Sequence, residues 1–183
     1  MPWYALHVRS NNEPIVEAAL ALEGISSFFP HQKLIHTRAK AKPVSQRKPG
    51  DWYSRPYFPG YVFVDADLAR CRRAANSIAQ VVRIVGIGIE AVAIPDGEIA
   101  TVRRVIEAAE QVNVAPASAY GEGDWVIVKC GPLKDIEGRV VYLKNATRII
   151  VAVSMLGQGV SAEVDASWLC PTRKPNALAM TSR

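Results

Sequence analysis

The chain has few of the features that mark an enzyme, an exported protein or a membrane protein. Its three cysteines, Cys71, Cys130 and Cys170, lie too far apart for a local zinc pattern, and an odd number argues against a disulfide framework. A reducing, cytoplasmic setting is therefore expected. No run of 18 apolar residues occurs, and the N-terminus opens with Trp3-Tyr4-Ala5-Leu6 and no charged leader, so neither membrane spanning nor export is expected. The histidines, His7, His31 and His36, have no Ser or Cys at a recognisable nucleophile spacing. Gly86-Ile87-Gly88 lacks the further glycine and helix of a dinucleotide site, and Asp65 and Asp67 read as a strand end and a helix cap rather than as paired acids. Catalysis, a cofactor and a bound metal are not expected.

What the chain does have is apolar content and an uneven charge. With 183 residues, 49% of them apolar, it has the material for one medium domain or two small ones. The formal net charge of +5 favours anionic partners. Its source is local: residues 31–56 carry Lys33, Arg38, Lys40, Lys42, Arg47, Lys48 and Arg55 against the single acid Asp51. Pro43, Ser45, Pro49, Gly50 and Pro56 make this segment read as a loop. With Trp52 and Tyr53 near its end, it is either a platform for bases and phosphates or a soluble hairpin.

Periodicity divides the chain in two. Trp3 to Arg9 reads as a strand, and Asn11 or Asn12 caps a helix whose apolar positions are Ile15, Ala18, Ala19 and Leu22, with Gly24 as its stop. Ser27 to His36 is a second strand. After the basic loop, Phe58 to Asp65 is a third, apolar on both faces, with Tyr61 and Phe63 opposite Val62 and Val64. Asp67 caps a second helix, Val81 to Val85 is a strand, and Ala91 to Ile94 a brief further one. Pro95 and Asp96 start a third helix with the stripe Ile99, Val102, Val105 and Ile106. The order β-α-β-β-α-β predicts an α+β, ferredoxin-like antiparallel sheet with its helices on one side, over residues 1–112. Residues 113–121 have a linker composition. From 122 to 171, short strands between Gly, Pro, Asp and Asn turns predict a small all-β barrel, and the tail 172–183 reads as disordered. The β-branched runs Val126-Ile127-Val128 and Ile149-Ile150-Val151 favour strands throughout this part.

Gly123 to Val141, with its Gly131-Pro132 turn and Gly138 opening the next strand, resembles a KOW motif. Joined in order with Phe58-Pro59-Gly60-Tyr61, Val82-Arg83-Ile84-Val85-Gly86, Ile94-Pro95-Asp96 and Val153-Ser154-Met155-Leu156-Gly157, the chain resembles the NusG family over residues 3–171. The resemblance implies a monomeric transcription elongation factor. Its N-terminal domain would bind the clamp helices of bacterial RNA polymerase and modulate pausing, termination or antitermination. Its C-terminal part would be an SH3-like KOW barrel. The polymerase-binding surface maps onto His7, Phe58, Pro59, Tyr61 and Phe63, and the barrel's partner-binding edge onto Leu133, Ile136, Met155 and Leu156, where a small-subunit ribosomal protein or the termination factor Rho would dock. Arg9, Arg70, Arg72 and Arg73 fall where relatives approach exposed non-template DNA, alongside the reading of a plain solvated helix face. The long basic loop and His7 favour a specialised paralogue. A ribosome-associated or generic RNA-binding KOW protein is the alternative.

Overall fold

The computed structural model describes residues 2–36, 40, 43–46, 48–108, 114–118, 123–143, 146–153 and 156–173. In chain order the first part runs β1 (Trp3–Val8), α1 (Glu13–Leu22), β2 (Ser26–Phe28), β3 (His31–Ile35), β4 (Trp52–Pro56), β5 (Tyr61–Asp65), α2 (Leu68–Ser77), β6 (Val81–Ile84), β7 (Gly86–Ile87), β8 (Glu90–Ala91) and α3 (Asp96–Glu107). Four of these strands make an antiparallel sheet in the order β2-β5-β1-β6. With α1 between β1 and β2, and α2 between β5 and β6, this is the split βαβ layout expected from the pattern. No helix among the described residues is long and apolar enough to cross a membrane.

The two-sided apolarity of β5 becomes two separate cores. Successive side chains of a strand point to opposite faces. On one face Tyr4, Leu6, Val8, Val62 and Val64 pack with Val16 and Leu20 of α1 and Cys71 and Ala74 of α2. On the other face Ala5 and Phe63 join Phe58, Ile94 and the α3 residues Ile99, Val102 and Val105. The helices therefore do not all lie on one side: α3 covers the face opposite α1 and α2. Its stripe is the expected one, with Ile106 half-buried beside it.

The stripe of α1 differs from the expected one. Val16 and Leu20 are buried, whereas Ile15 is exposed and Leu22 is 90% exposed. Two alternative apolar stripes exist in this helix, and tertiary contact selects the one carrying Val16 and Leu20. Nor does an asparagine cap the helix by its side chain: Asn12 sits at the N-cap position, but its Nδ2 donates to the Ser10 carbonyl at 2.9 Å. Asp67 does cap α2, accepting from the Arg70 N–H at 2.8 Å.

The stretch read as one strand followed by a loop is a hairpin. Pro30 separates β2 from β3, its carbonyl accepts the Tyr57 N–H at 2.9 Å, and β3 pairs with β4 from His31↔Pro56 to Ile35↔Trp52. The prolines that suggested a loop lie between the paired strands or at the end of β4, where no ladder bond is lost.

The second part contains β9 (Val114–Ser118), β10 (Trp125–Val128), β11 (Glu137–Leu143), β12 (Ala146–Val153), β13 (Gln158–Val164) and β14 (Leu169–Pro171). They form one antiparallel sheet in the order β14-β10-β11-β12-β13-β9. Within the stretch that reads as a linker, residues 114–118 are thus an edge strand. Pro116 lies opposite Val160 in this ladder, and an edge strand with only one partner tolerates a residue that lacks an N–H. The rest of that stretch lies outside the described residues, as does the tail from 174. The two parts touch through α3, whose Arg104 Nη2 donates to the Lys134 carbonyl at 2.7 Å. One apolar cluster runs from Val102 and Val105 to Leu133, Ile136 and Val160.

Two outcomes test this packing. Leu20→Ala is expected to destabilise the protein by about 2–5 kcal/mol in urea unfolding, and Leu22→Ala by less than about 0.5 kcal/mol; equal effects would refute the assigned helix face. Cys71 is wholly buried, and burial, followed by the Asp67 carboxylate, pushes its thiol up to about 11, whereas Cys130 is exposed. A thiolate-seeking reagent at neutral pH should therefore label Cys130 in the native protein and reach Cys71 only after denaturation.

Candidate functional site

The corner Phe58-Pro59-Gly60-Tyr61 is a turn closed by the Tyr61 N–H donating to the Phe58 carbonyl at 3.1 Å. Pro59 presets the first central position, and Gly60, with φ of 82°, supplies the left-handed second one, which makes this a type II turn. Two further bonds fix it. The Gly60 carbonyl accepts the Val8 N–H at 2.8 Å, tying the corner to the end of β1. The Gly60 N–H donates to Glu13 Oε1, also at 2.8 Å, across 47 residues of sequence. Glu13 is only 2% exposed although it is a carboxylate. Its burial is compensated by this charge-assisted bond and by its place in the first turn of α1, where the helix dipole favours an anion.

The residues mapped to a contact surface divide into two groups. Pro59 is exposed, and His7 and Tyr61 are half-buried with ring centroids 5.5 Å apart. These three form the accessible part of the corner. Phe58 and Phe63, expected to belong to the surface, are fully buried, and their rings meet edge to face at 5.3 Å. They support the turn from within, because each side of β5 faces a core and the larger ring is drawn into it. Among the described residues, the buried His7 Nδ1 has no hydrogen-bond partner. Farther along the same sheet face, Arg103 lies over the rings of Phe28 at 4.4 Å and Trp3 at 5.3 Å, covering them with a cation.

The arginines expected at nucleic acid do not act as one group. Arg9, Arg72 and Arg73 are exposed, but Arg70 Nη2 donates to the Gly24 carbonyl at 3.1 Å and ties α2 to the end of α1. Arg72 instead shares a groove with Asn76, Val82, Arg83, Ile89 and Glu90. Arg83 stands in this groove because β6 is at the edge of the sheet. Glu13 escaped the sequence reading: an acid before a helix proline reads as a dipole effect, and nothing local indicates a partner at Gly60.

At the C-terminal sheet, Leu133 and Ile136 are buried in the cluster shared with α3, and Leu156 is half-buried against it. Neither Leu133 nor Ile136 offers a free edge in this arrangement, and Met155 lies outside the described residues. The Gly131-Pro132 turn has Gly131 at φ of 78°, packed so closely on the Trp168 ring that a Cβ would collide with it. Among the described residues, no three His, Cys, Asp or Glu side chains come together as metal ligands would.

The family described as "Transcription termination factor nusG" matches residues 1–103. No curated protein matches the chain. Among solved structures, the one titled "Domain interaction in Thermotoga maritima NusG" is similar with 19% identity and a TM-score of 0.54, covering 94% of this chain and 97% of that one. The MjSpt4:Spt5 complex in conformation B matches with 13% identity and a TM-score of 0.29 over 94% of this chain and 97% of its own. The Thermotoga likeness is one of fold.

The corner's dependence on two residues is open to test. Gly60→Ala forces a Cβ into the left-handed region at about 1–2 kcal/mol. Glu13→Ala leaves the Gly60 N–H unpaired at about 1–3 kcal/mol. Both are expected as lowered urea midpoints with unchanged slopes; a Glu13→Ala protein as stable as the parent would show that the buried carboxylate does not hold the corner.

Proposed function

The chain belongs to the NusG family, and on that premise we propose that it is a transcription elongation factor that rides on bacterial RNA polymerase. The family is one of non-enzymatic transcription factors, so function here means binding. The observation that carries the proposal is the rigid corner, which presents His7, Pro59 and Tyr61 as a small apolar and aromatic surface over a packed base of Phe58 and Phe63. Preorganised aromatic groups give large contact area at little entropic cost, and such anchors dominate interface energies. The clamp helices of the polymerase are the proposed docking partner. In this reading Phe58 and Phe63 shape the surface without touching the partner.

The remaining roles extend the proposal. The exposed Arg9, Arg72 and Arg73 would lie beside non-template DNA and add salt-dependent affinity without reading sequence. The C-terminal sheet would act as a KOW barrel that recruits a ribosomal protein or Rho, and through it the factor would alter pausing, termination or antitermination. The long basic segment 31–56 fits a specialised paralogue. Cytoplasmic action agrees with three free cysteines among the described residues, including the exposed Cys130, and the factor would act there as a monomer.

Binding of the full-length protein to reconstituted bacterial elongation complexes tests the proposal, with the same nucleic-acid scaffold lacking polymerase as reference. Tyr61→Ala, whose half-buried ring also packs on the core, is expected to lower the unfolding midpoint modestly and, measured well below that midpoint, to weaken polymerase-dependent binding by about tenfold or more. Equal binding to the bare scaffold, lost at high salt and indifferent to Tyr61, would overturn it in favour of a generic RNA-binding protein.

A further inference from the structure

The β3–β4 ribbon is not part of the four-stranded sheet and forms a two-stranded sheet of its own. All ten of its strand residues are exposed or half-buried, including Trp52 at 37% and Tyr53 at 42% exposure. Residues opposite each other in the ladder share a face. One face therefore carries Lys33, Ile35 and Trp52, and the other carries Leu34, Tyr53 and Arg55. Lys33 Nζ lies 5.5 Å from the Trp52 ring, and the His36 ring lies 4.7 Å from that of Tyr53. Each face thus combines a large, accessible ring with a cation.

The segment's electrostatics reinforce this. Its single acid, Asp51, is only 5% exposed, and its Oδ2 accepts the Lys48 N–H at 2.9 Å. The one acid is thus engaged inside the hairpin, and the described cations of the segment, Lys33, Lys40, Lys48 and Arg55, are exposed. We propose that this ribbon is a binding site for unpaired nucleic acid, with bases stacked on Trp52 and Tyr53 and the phosphate chain held by Lys33 and Arg55. Rings beside cations suit stacked bases joined by phosphates, whereas an acidic protein segment would use the cations and leave the rings idle. A duplex would also be drawn by charge, but its bases are already stacked on one another. The residues of this site are other than those of the corner.

Fluorescence anisotropy with the full-length protein and labelled oligo(dT), oligo(U) and a duplex of equal length, across a salt series, tests it. Single strands are expected to bind more tightly than duplex. The double substitution Trp52→Ala and Tyr53→Ala should weaken single-strand binding by about tenfold or more, Trp52→Phe with Tyr53→Phe should retain most of it, and Lys33→Gln with Arg55→Gln should flatten the salt dependence. Tighter binding of oligo(U) or of oligo(dT) supports the site and names its occupant as RNA or DNA. The proposal is overturned if the phenylalanine variant loses binding as fully as the alanine one. It is equally overturned if duplex binds as well as single strands, or if polyglutamate displaces the oligonucleotide at equal charge concentration.

Discussion

A buried carboxylate holding a backbone N–H is the constraint on which the N-terminal half depends. Glu13 stands at the start of α1 and Gly60 at the centre of the turn before β5, so one 2.8 Å bond joins the first helix to the third strand of the sheet. Burying a charge is costly unless it is paired or hydrogen-bonded. The bond and the helix N-terminus offset that cost together, and neither element can shift without exposing the other's loss. With the Gly60 carbonyl tied to Val8, the corner is anchored to both elements that flank it in space. A docking surface built here inherits its rigidity from the interior.

The α3 helix joins this half to the other one. Its buried stripe closes the sheet face that carries Phe63, and the same cluster continues into Leu133 and Ile136. The Arg104 bond to the Lys134 carbonyl adds a polar tie that depends on backbone alone, whatever the side chain at 134. The corner's supporting aromatics and the apolar residues of the Gly131-Pro132 loop are thus parts of one continuous interior. The sequence carries no sign of this contact, because periodicity reports that a face is apolar and not what covers it.

Much of the fold was legible and the failures have physical causes. The strand and helix order, the Asp67 cap, the Gly24 stop and the α3 stripe could be read because each is set by local chemistry. The α1 face could not, since Ile15 and Leu22 compete with Val16 and Leu20 on equal terms until the sheet is present. Proline misled twice, at 113–121 and at 31–56, because edge strands and hairpins accept it where central strands do not. Of the candidate site, His7, Pro59 and Tyr61 were found on the surface. Phe58 and Phe63 were placed there too, although their size draws them inward, and Glu13, the partner of the Gly60 N–H, left no local trace.

The two-sided apolarity of β1 and β5 has a consequence for how the sheet is counted out during folding. In most half-buried strands a slip by one residue is punished by polarity, because it turns the core face to water. Here the slip would trade Leu6, Val62 and Val64 for Ala5 and Phe63, and both sets are apolar. Polarity is silent about the error, and only volume and the turn at the strand's start can detect it. Three hydrogen bonds around Gly60 therefore serve as the origin from which the ladder is measured. A single residue inserted between that origin and Phe63 would displace every later rung while leaving the composition of the strand almost unchanged.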